Sequence, residues 1–357
     1  MSEFKIQVVR LGKIGKHPNA DTLSITQVLG NYPVVLKSGT FQPGDLAVHI
    51  PPDSLVPVDH PAFSFLANKA TNGFCRIRFS KIRNVPSYGF LVPLSDVTFP
   101  EQSGRDLYGQ EIYEGMDVQE LLGVQKYEPG PCYQLGGEIA GEHISLPQGG
   151  VVPHYDIFGL RKYERLFEDG ERVIVTEKIH GSNGRWIFLN DELYCGSRTR
   201  FRRDSVWNRM AEKYDLKATL EMVPGIVLYG EVYGSKIQDL TYGIDDQRVV
   251  FFDIYDTRTG TWWDSDRFRI FCRAFNLPAV PVLYDGPFEL DRMYEYAEGG
   301  SILHMDNYAA RKPGCAGNFH VREGIVVRPA EERWDQRLGR VFLKLPGEGY
   351  LLRKQAA

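Results

Sequence analysis

Residues 173–186 read VIVTEKIHGSNGRW, and no other stretch constrains this chain as strongly. Val173, Ile174 and Val175 are β-branched, the composition of a buried strand. Lys178 follows at once, then a turn punctuated by Gly181 and Gly184. A lysine at the lip of a strand, beside a glycine turn, reaches a ligand phosphate with little steric interference. Lys178 is therefore the candidate nucleophile, and the informative stretches elsewhere are those that would serve it.

At 357 residues the chain exceeds most single small domains, which predicts two. An apolar content of 43% and a charged content of 25% fit a globular protein with a sizeable core. A net charge of −4 excludes a global polybasic field, so any contact with nucleic acid has to come from local patches. The opening MSEFKIQVVRLGKIGK lacks the apolar region of a secretory leader, and no run approaches the roughly 18 apolar residues that a membrane span needs. The five cysteines (Cys75, Cys132, Cys195, Cys272, Cys315) form no C-x-x-C pair, so neither a disulfide framework nor a cysteine zinc site is indicated. A reducing, cytoplasmic setting without membrane attachment is expected.

Residues 1–100 read as β. The stretch Phe4 to Val9 alternates, and turn signals recur at His17 to Asn19, Gly30-Asn31, Lys37 to Gly39 and Gln42 to Asp45. Short apolar strands lie between them, which predicts a small barrel or sandwich. Arg76 to Arg83 interleaves four cations, Arg76 and Arg78 among them, with apolar residues and has no acid. That is the pattern of a strand with one basic and one core face. HPNADTLSITQV and KSGTFQPGDLAVHIPPDSLVP resemble OB-fold modules, the second the module attached to a subset of RNA ligases. The resemblance implies contact with nucleic acid through a basic, aromatic-bearing groove.

Residues 101–160 are dense in glycine and proline and are expected to be a connector or an extension of the first module. Within them EGMDVQELLG predicts one short helix, and Gly159 to Phe167 predicts a short amphipathic helix that leads into the second domain. Residues 161–357 form the second domain. Its expected strands are Val173 to Thr176, Arg185 to Leu189, Ile226 to Glu231, Val249 to Tyr255, Gly324 to Arg328 and Val341 to Lys344. Its expected helices are Ser205 to Tyr214 and Asp264 to Phe275. Without strict βαβ alternation the fold class is α+β.

The polar residues of this domain sit beside or within its apolar runs. In order they are Lys178 and His180, Arg198 with Arg200, Arg202 and Arg203, Glu231, Phe252, Glu323 and Lys344. Strands converging on one pocket would unite them. A lysine, two carboxylates, cations and an aromatic are the parts needed to attack the α-phosphorus of a nucleotide. The amine, with a reference pKa of about 10.4, must lose its proton to react. A divalent cation that keeps its waters needs only one or two carboxylates. Asp253 and Asp256 read as structural, and the other histidines show no metal-ligand spacing.

This ordered set resembles the covalent nucleotidyltransferase superfamily of polynucleotide ligases and capping enzymes. KxxG appears as Lys178 to Gly181, a Ser-Arg element as Ser197-Arg198, GE as Gly230-Glu231, an aromatic before FDI-like text at Phe252, EG as Glu323-Gly324 and a lysine strand at Lys344. KIHGSN is similar to the RNA-ligase branch that seals nicks in duplexes. An OB module placed first resembles one group within that branch. The fold implied is an OB-like barrel followed by an adenylylation domain, ATP-grasp-like, of antiparallel sheets with flanking helices.

The resemblance also implies roles. Lys178 would attack ATP and hold AMP, and His180 would matter when AMP passes to an RNA 5′-phosphate. Arg198 would contact the nucleotide or the phosphates at the break, and Glu231 the ribose. Phe252, or Phe251 in the other register, would stack on adenine. Glu323 would hold Mg²⁺ or Mn²⁺ through water, and Lys344 would contact the α-phosphate. Glu177 and Asn183 would complete the nucleotide pocket. Arg76, Arg78, Arg200 and Arg203 would face nucleic acid. The implied partner is RNA with 3′-OH and 5′-phosphate ends, at nicks in duplexes or RNA/DNA hybrids, and the protein would act as a monomer. Two departures stand out. Position 342, often a second lysine, is Phe, which leaves Lys344 alone or supplemented by Lys354 or another cation. Only 13 residues follow Lys344, so no downstream OB domain of the DNA-ligase or capping type is expected. The alternatives are a GTP-dependent capping guanylyltransferase and a non-enzymatic nucleic-acid-binding protein with a degenerate second domain.

Overall fold

The computed structural model describes residues 4–97, 112–127, 141–147, 152–311 and 320–353. These fall into two compact units. One takes the described residues up to 129 together with Leu160–Glu164, and the other takes those of Gly130–Gly159 together with Arg165–Arg353.

The first unit contains β1 (Gln7–Arg10), β2 (Gly15–Lys16), β3 (Leu23–Val28), β4 (Tyr32–Lys37), β5 (Leu46–Ile50), β6 (Ser54–Pro57), β7 (Phe74–Arg76), β8 (Ser80–Ile82), β9 (Val85–Ser87), β10 (Phe90–Pro93) and β11 (Gln125–Lys126). The strands pair antiparallel in the orders β1-β5-β10, β2-β3-β4, β11-β6-β7 and β8-β9. Among the described residues the expected barrel thus takes the form of small sheets and not one closed ring of strands. Ile6, Val8, Val48, Ile50, Val56 and Phe63 form its main core.

The expected connector is divided. Val118, Leu122 and Val124 join the core of the first unit, and β11 pairs with β6. The helix expected at 114–123 is a series of turns in which Leu122 N–H donates to Val118 O at 3.1 Å. The helix expected at 159–167 is two 3-10 turns, Leu160–Lys162 and Glu164–Leu166. Gly30, at φ +95, lets the β3–β4 turn meet the first of them. A Cβ there would lie 2.5 Å from Arg161 O, to which Asn31 N–H donates at 2.8 Å.

The second unit contains β12 (Glu142–Ile144), β13 (Phe158–Gly159), β14 (Arg172–Glu177), β15 (Ser182–Leu189), β16 (Glu192–Ser197), β17 (Phe201–Arg203), α1 (Val206–Lys213), α2 (Leu216–Met222), β18 (Ile226–Gly234), β19 (Gln247–Asp256), β20 (Thr261–Trp262), α3 (Ser265–Ala274), β21 (Val282–Pro287), α4 (Leu290–Ala297), α5 (Ile302–Arg311), β22 (Gly324–Pro329), β23 (Trp334–Asp335), β24 (Gly339–Arg340), β25 (Leu343–Pro346) and α6 (Glu348–Leu352). Seven strands form an antiparallel sheet in the order β12-β17-β16-β15-β18-β19-β20, and five form a second in the order β13-β25-β22-β14-β21. Among the named strands of the described residues, only the two-residue pairing of β13 with β25 is parallel. The strands and both helices expected from the sequence of this domain are present, the last strand running Leu343–Pro346 and so starting two residues later than expected, and the α+β class holds.

The periodicity of α1 explains its docking. Val206, Met210, Trp207 and Ala211 lie on one face and pack with Phe268 and Phe271 of α3 against Trp186, Leu228 and Phe251 of the large sheet. A second buried centre is ionic. Asp253 on β19 meets Arg328 of β22 at 3.2 Å and Arg340 of β24 at 2.6 Å, and Tyr155 Oη donates to it at 2.6 Å. Burial pushes the Asp253 carboxyl up, but the two guanidiniums outweigh it and hold it below its ordinary value. This residue is structural, as its sequence context suggests, and Asp256 is likewise tied to Arg258 at 2.7 Å.

Candidate active site

The KIHG tetrapeptide is the crossing between the two sheets of the second unit. β14 ends at Glu177 in the five-stranded sheet, and β15 begins at Ser182 in the seven-stranded one. Four residues suffice because Gly181 passes against β18, where a Cβ would lie 2.2 Å from Val232 O and 3.0 Å from Glu231 Cγ. Any side chain there would push the crossing away from Glu231.

Lys178 is fixed by its own backbone, whose N–H donates to Gly324 O at 2.9 Å. Its Nζ donates to Glu323 Oε1 at 2.6 Å, across 145 residues of sequence. Gly324, at φ +146, lets β25 lie close against it, since a Cβ would lie 2.2 Å from Leu345 O. Cross-strand partners share a face. Thr176, Val326 and Lys344 are therefore neighbours across β14, β22 and β25, and Lys178 lies two positions beyond Thr176. Lys344 is partly buried in that row. Phe342 packs at 5.1 Å from Tyr155 in an aromatic cluster that also holds Tyr229 and Phe252. The position of the missing second lysine is thus part of the core. Lys354 lies outside the described residues.

On the large sheet, Asn183 pairs directly with Glu231, and Glu231 with Val250. Burial pushes the Glu231 carboxyl up to about 8, with Lys178 and a Gly181 backbone hydrogen bond opposing and Glu323 reinforcing the shift. Lys178, Glu231 and Glu323 are therefore one electrostatic cluster. The β18–β19 register shifts between Tyr229 and Gly230, so that Tyr229 faces Asp253 and Gly230 faces Phe251. Phe252 is left as the extra residue of a β-bulge, a device that re-aims a side chain. Its ring lies 4.8 Å from Tyr155 and stays partly exposed. Phe251 is fully buried against Trp186 at 5.5 Å and cannot face a ligand, so only Phe252 retains a stacking surface.

Other expected site residues are already engaged. Glu177 Oε2 accepts from the backbone N–H groups of Ile302 and Leu303 at 2.8 and 3.2 Å and so caps α5; only Oε1 remains without a donor. Arg198 pairs with Asp156, and its carbonyl meets His154 Nδ1 at 3.2 Å. Arg203 pairs with Glu192 at 2.8 Å, and Arg200 lies in the exposed turn closed by Ser197 N–H to Arg200 O. In the first unit Arg76 is held by Asp53 at 2.6 Å and lies 3.5 Å over the Tyr127 ring. The strip that is free of acids in sequence is thus partly neutralised in space. Arg78 is exposed, while Cys75, Ile77 and Phe79 are buried, so the basic and core faces do alternate.

His180 contacts three residues with no motif signal. Its backbone N–H donates to Tyr242 Oη at 2.7 Å, its Nε2 meets Asp239 Oδ1 at 2.7 Å and its Nδ1 meets Tyr350 Oη at 3.0 Å. Burial lowers its pKa against the raising effects of Glu323 and Asp239. Tyr350, in the text EGYLLR just after the lysine strand, was the only one that position in the chain could have suggested.

Three buried oxygens around this cluster lack a hydrogen-bond partner, Glu177 Oε1, Asn183 Oδ1 and Glu323 Oε2. A buried carboxylate oxygen without a donor suits a hard cation. No group of three or more His, Cys, Asp or Glu residues gathers among the described residues. The donor set therefore fits an ion that keeps most of its waters and takes one protein carboxylate, as Mg²⁺ does.

The family model for RNA ligases matches residues 171–345, and one for an OB-fold domain matches residues 5–94. Among solved structures the chain is similar to a Naegleria gruberi RNA ligase variant with ATP and Mn, at 21% identity and TM-score 0.79, covering 99% of this chain and 100% of that one. It is also similar to the Naegleria gruberi RNA ligase with PPi, at 22% identity and TM-score 0.77, covering 99% and 98%. A further variant of that ligase, with AMP and Mn, matches at 22% identity and TM-score 0.77, covering 99% of each chain.

Proposed function

We propose that this chain, whose residues 171–345 match the RNA ligase family model, uses ATP to join RNA 3′-OH and 5′-phosphate ends at nicks in duplexes, for RNA repair. The observation that carries the reading is the convergence of Lys178, Glu323 and Glu231 from separate strands, with Lys178 Nζ 2.6 Å from Glu323 Oε1. In the first step the neutral Lys178 amine attacks the α-phosphorus of ATP. A P–N bond forms, the bond to pyrophosphate breaks, and AMP stays on the lysine. The resting ammonium is held by Glu323, so its proton must leave before attack. Glu323 would hold a divalent cation, which when bound would offset phosphate charge. Lys344, on the face shared with Val326, contacts the α-phosphate as charge builds. Asn183 and Glu231 receive the ribose hydroxyls, and Phe252 offers its partly exposed ring to adenine.

AMP then passes to the RNA 5′-phosphate, the step assigned to His180, and Arg198 exchanges Asp156 for phosphate. The RNA 3′-OH attacks the activated end and releases AMP. The N-terminal module, with Arg76 and Arg78, supports docking on the duplex, as Arg200 and Arg203 do in the second unit. The protein acts as a monomer in the cytoplasm. No helix among the described residues is long and apolar enough to cross a membrane.

Incubation with α-labelled ATP or GTP and Mn²⁺ or Mg²⁺ tests the reading. A covalent label from ATP that is absent in Lys178→Ala is the expected result. A GTP-specific label points to a capping guanylyltransferase, and retention of label in Lys178→Ala overturns the assignment.

A further inference from the structure

The contacts of His180 close into a ring. A carboxylate only accepts, so the 2.7 Å contact with Asp239 Oδ1 places the proton on Nε2. Nδ1 is then the acceptor, and the Tyr350 hydroxyl, at 3.0 Å, is the donor. Burial, which favours the neutral imidazole, agrees with this assignment. Arg353 joins both partners of the histidine. Its guanidinium lies 3.5 Å over the Tyr350 ring, and its Nη2 reaches Asp239 Oδ2 at 3.2 Å. Helix α6, which carries Tyr350, is anchored to the site from the other side. Gly347 N–H donates to Glu323 O at 3.0 Å, and Glu298 accepts from Glu348 and Gly349 N–H. The charged and titratable groups around His180 are thus Asp239, Tyr242, Glu323, Tyr350 and Arg353.

We propose that Tyr350, with Asp239 and Arg353, positions His180 for the sealing steps by fixing its Nε2–H tautomer and ring orientation beside Glu323 and Lys178. The inference rests on the reading of His180 as the residue that acts after lysine labelling. A tautomer is set by what the two ring nitrogens meet, and a histidine in the wrong tautomer presents the wrong lone pair to its substrate. The structural evidence is that both nitrogens are committed at once, one to an acceptor and one to a donor that lies 170 residues away.

Tyr350→Phe keeps the ring under Arg353 and removes only the hydroxyl. Two rates are measured on the full chain: labelling of Lys178 by ATP, and joining of a nicked RNA duplex. The ratio of joining to labelling is expected to fall about ten-fold, the scale of one lost buried hydrogen bond. The same substitution added to His180→Ala should cost nothing further. In ¹⁵N-histidine spectra the His180 signal, identified by its loss in His180→Ala, should move from a single Nε2–H pattern towards mixed tautomers. A wild-type ratio in Tyr350→Phe, an extra loss in the His180→Ala background, or an unchanged tautomer overturns the inference alone. Normal joining by His180→Ala overturns the reading of His180 and the inference with it.

Discussion

Two charged clusters lie in the second unit, and they are built on opposite terms. Around Asp253 every charge is matched: Arg328 and Arg340 flank the carboxylate, Tyr155 donates to it, and Arg340 is further held by Glu332 at 2.6 Å. Around Lys178 the matching is incomplete. Glu323 uses one oxygen and leaves the other without a donor, Asn183 Oδ1 is unpaired, and Glu231 sits where burial resists its ionisation. A buried polar group left unmatched costs free energy, so such groups persist where a ligand completes them. The first cluster ties the two sheets together, and the second is the one that, on the proposed function, would receive nucleotide and metal.

Substitutions separate these two terms. The largest effect is catalytic: Lys178→Ala should abolish covalent labelling, while its unfolding midpoint stays closer to wild type than that of Asp253→Ala. Asp253→Ala leaves two buried guanidiniums without their shared partner and should destabilise folding by about 3–5 kcal/mol in urea titrations. An unchanged midpoint would dissolve the contrast between the clusters. Gly181→Ala forces a methyl against Val232 O and should cost about 1–3 kcal/mol, with a further drop in labelling because Glu231 is displaced.

Glu231 sharpens the comparison through pH. Its folded-state pKa of about 8 exceeds the ordinary carboxylate value of 4.5. Between those values the folded protein holds a proton that the unfolded chain has released, so stability declines as pH rises through that window. Glu231→Gln should flatten this part of the profile in nucleotide-free denaturation curves at pH 5 and pH 8.5, and an unaltered slope would remove Glu231 from the cluster. The smallest effect is expected at the surface of the first unit. Arg76→Ala removes a largely solvent-screened pair with Asp53 and should change stability by less than about 1 kcal/mol. RNA binding should weaken a few-fold, with a shallower salt dependence.

Much of this was legible in the chain. Lys178, Glu231, Glu323 and Lys344 could be found because each sits in or beside a short β-branched or apolar run, and such runs have one dominant physical reading. The connector was less legible. Val118 and Leu122 are core residues of the first unit because this stretch docks on the start of the chain, with Val118 N–H donating to Ile6 O and Val8 N–H to Met116 O, and nothing in the local sequence marks those partners. The choice between Phe251 and Phe252 could not be made from FFDIY, because a bulge decides it and a bulge is a property of two strands.

By itself, then, the sequence determined the α+β class, the strands that carry the reactive residues and the glycines that let them approach. Those features follow from local stereochemistry and from side-chain period. Tertiary structure alone decided who faces whom: Asp239 and Tyr350 on His180, Asp156 on Arg198, Asp53 on Arg76, and Glu177 at the start of α5. Charge pairing depends on distance in space, and residues separated by up to 170 positions carry no mark of it in the chain.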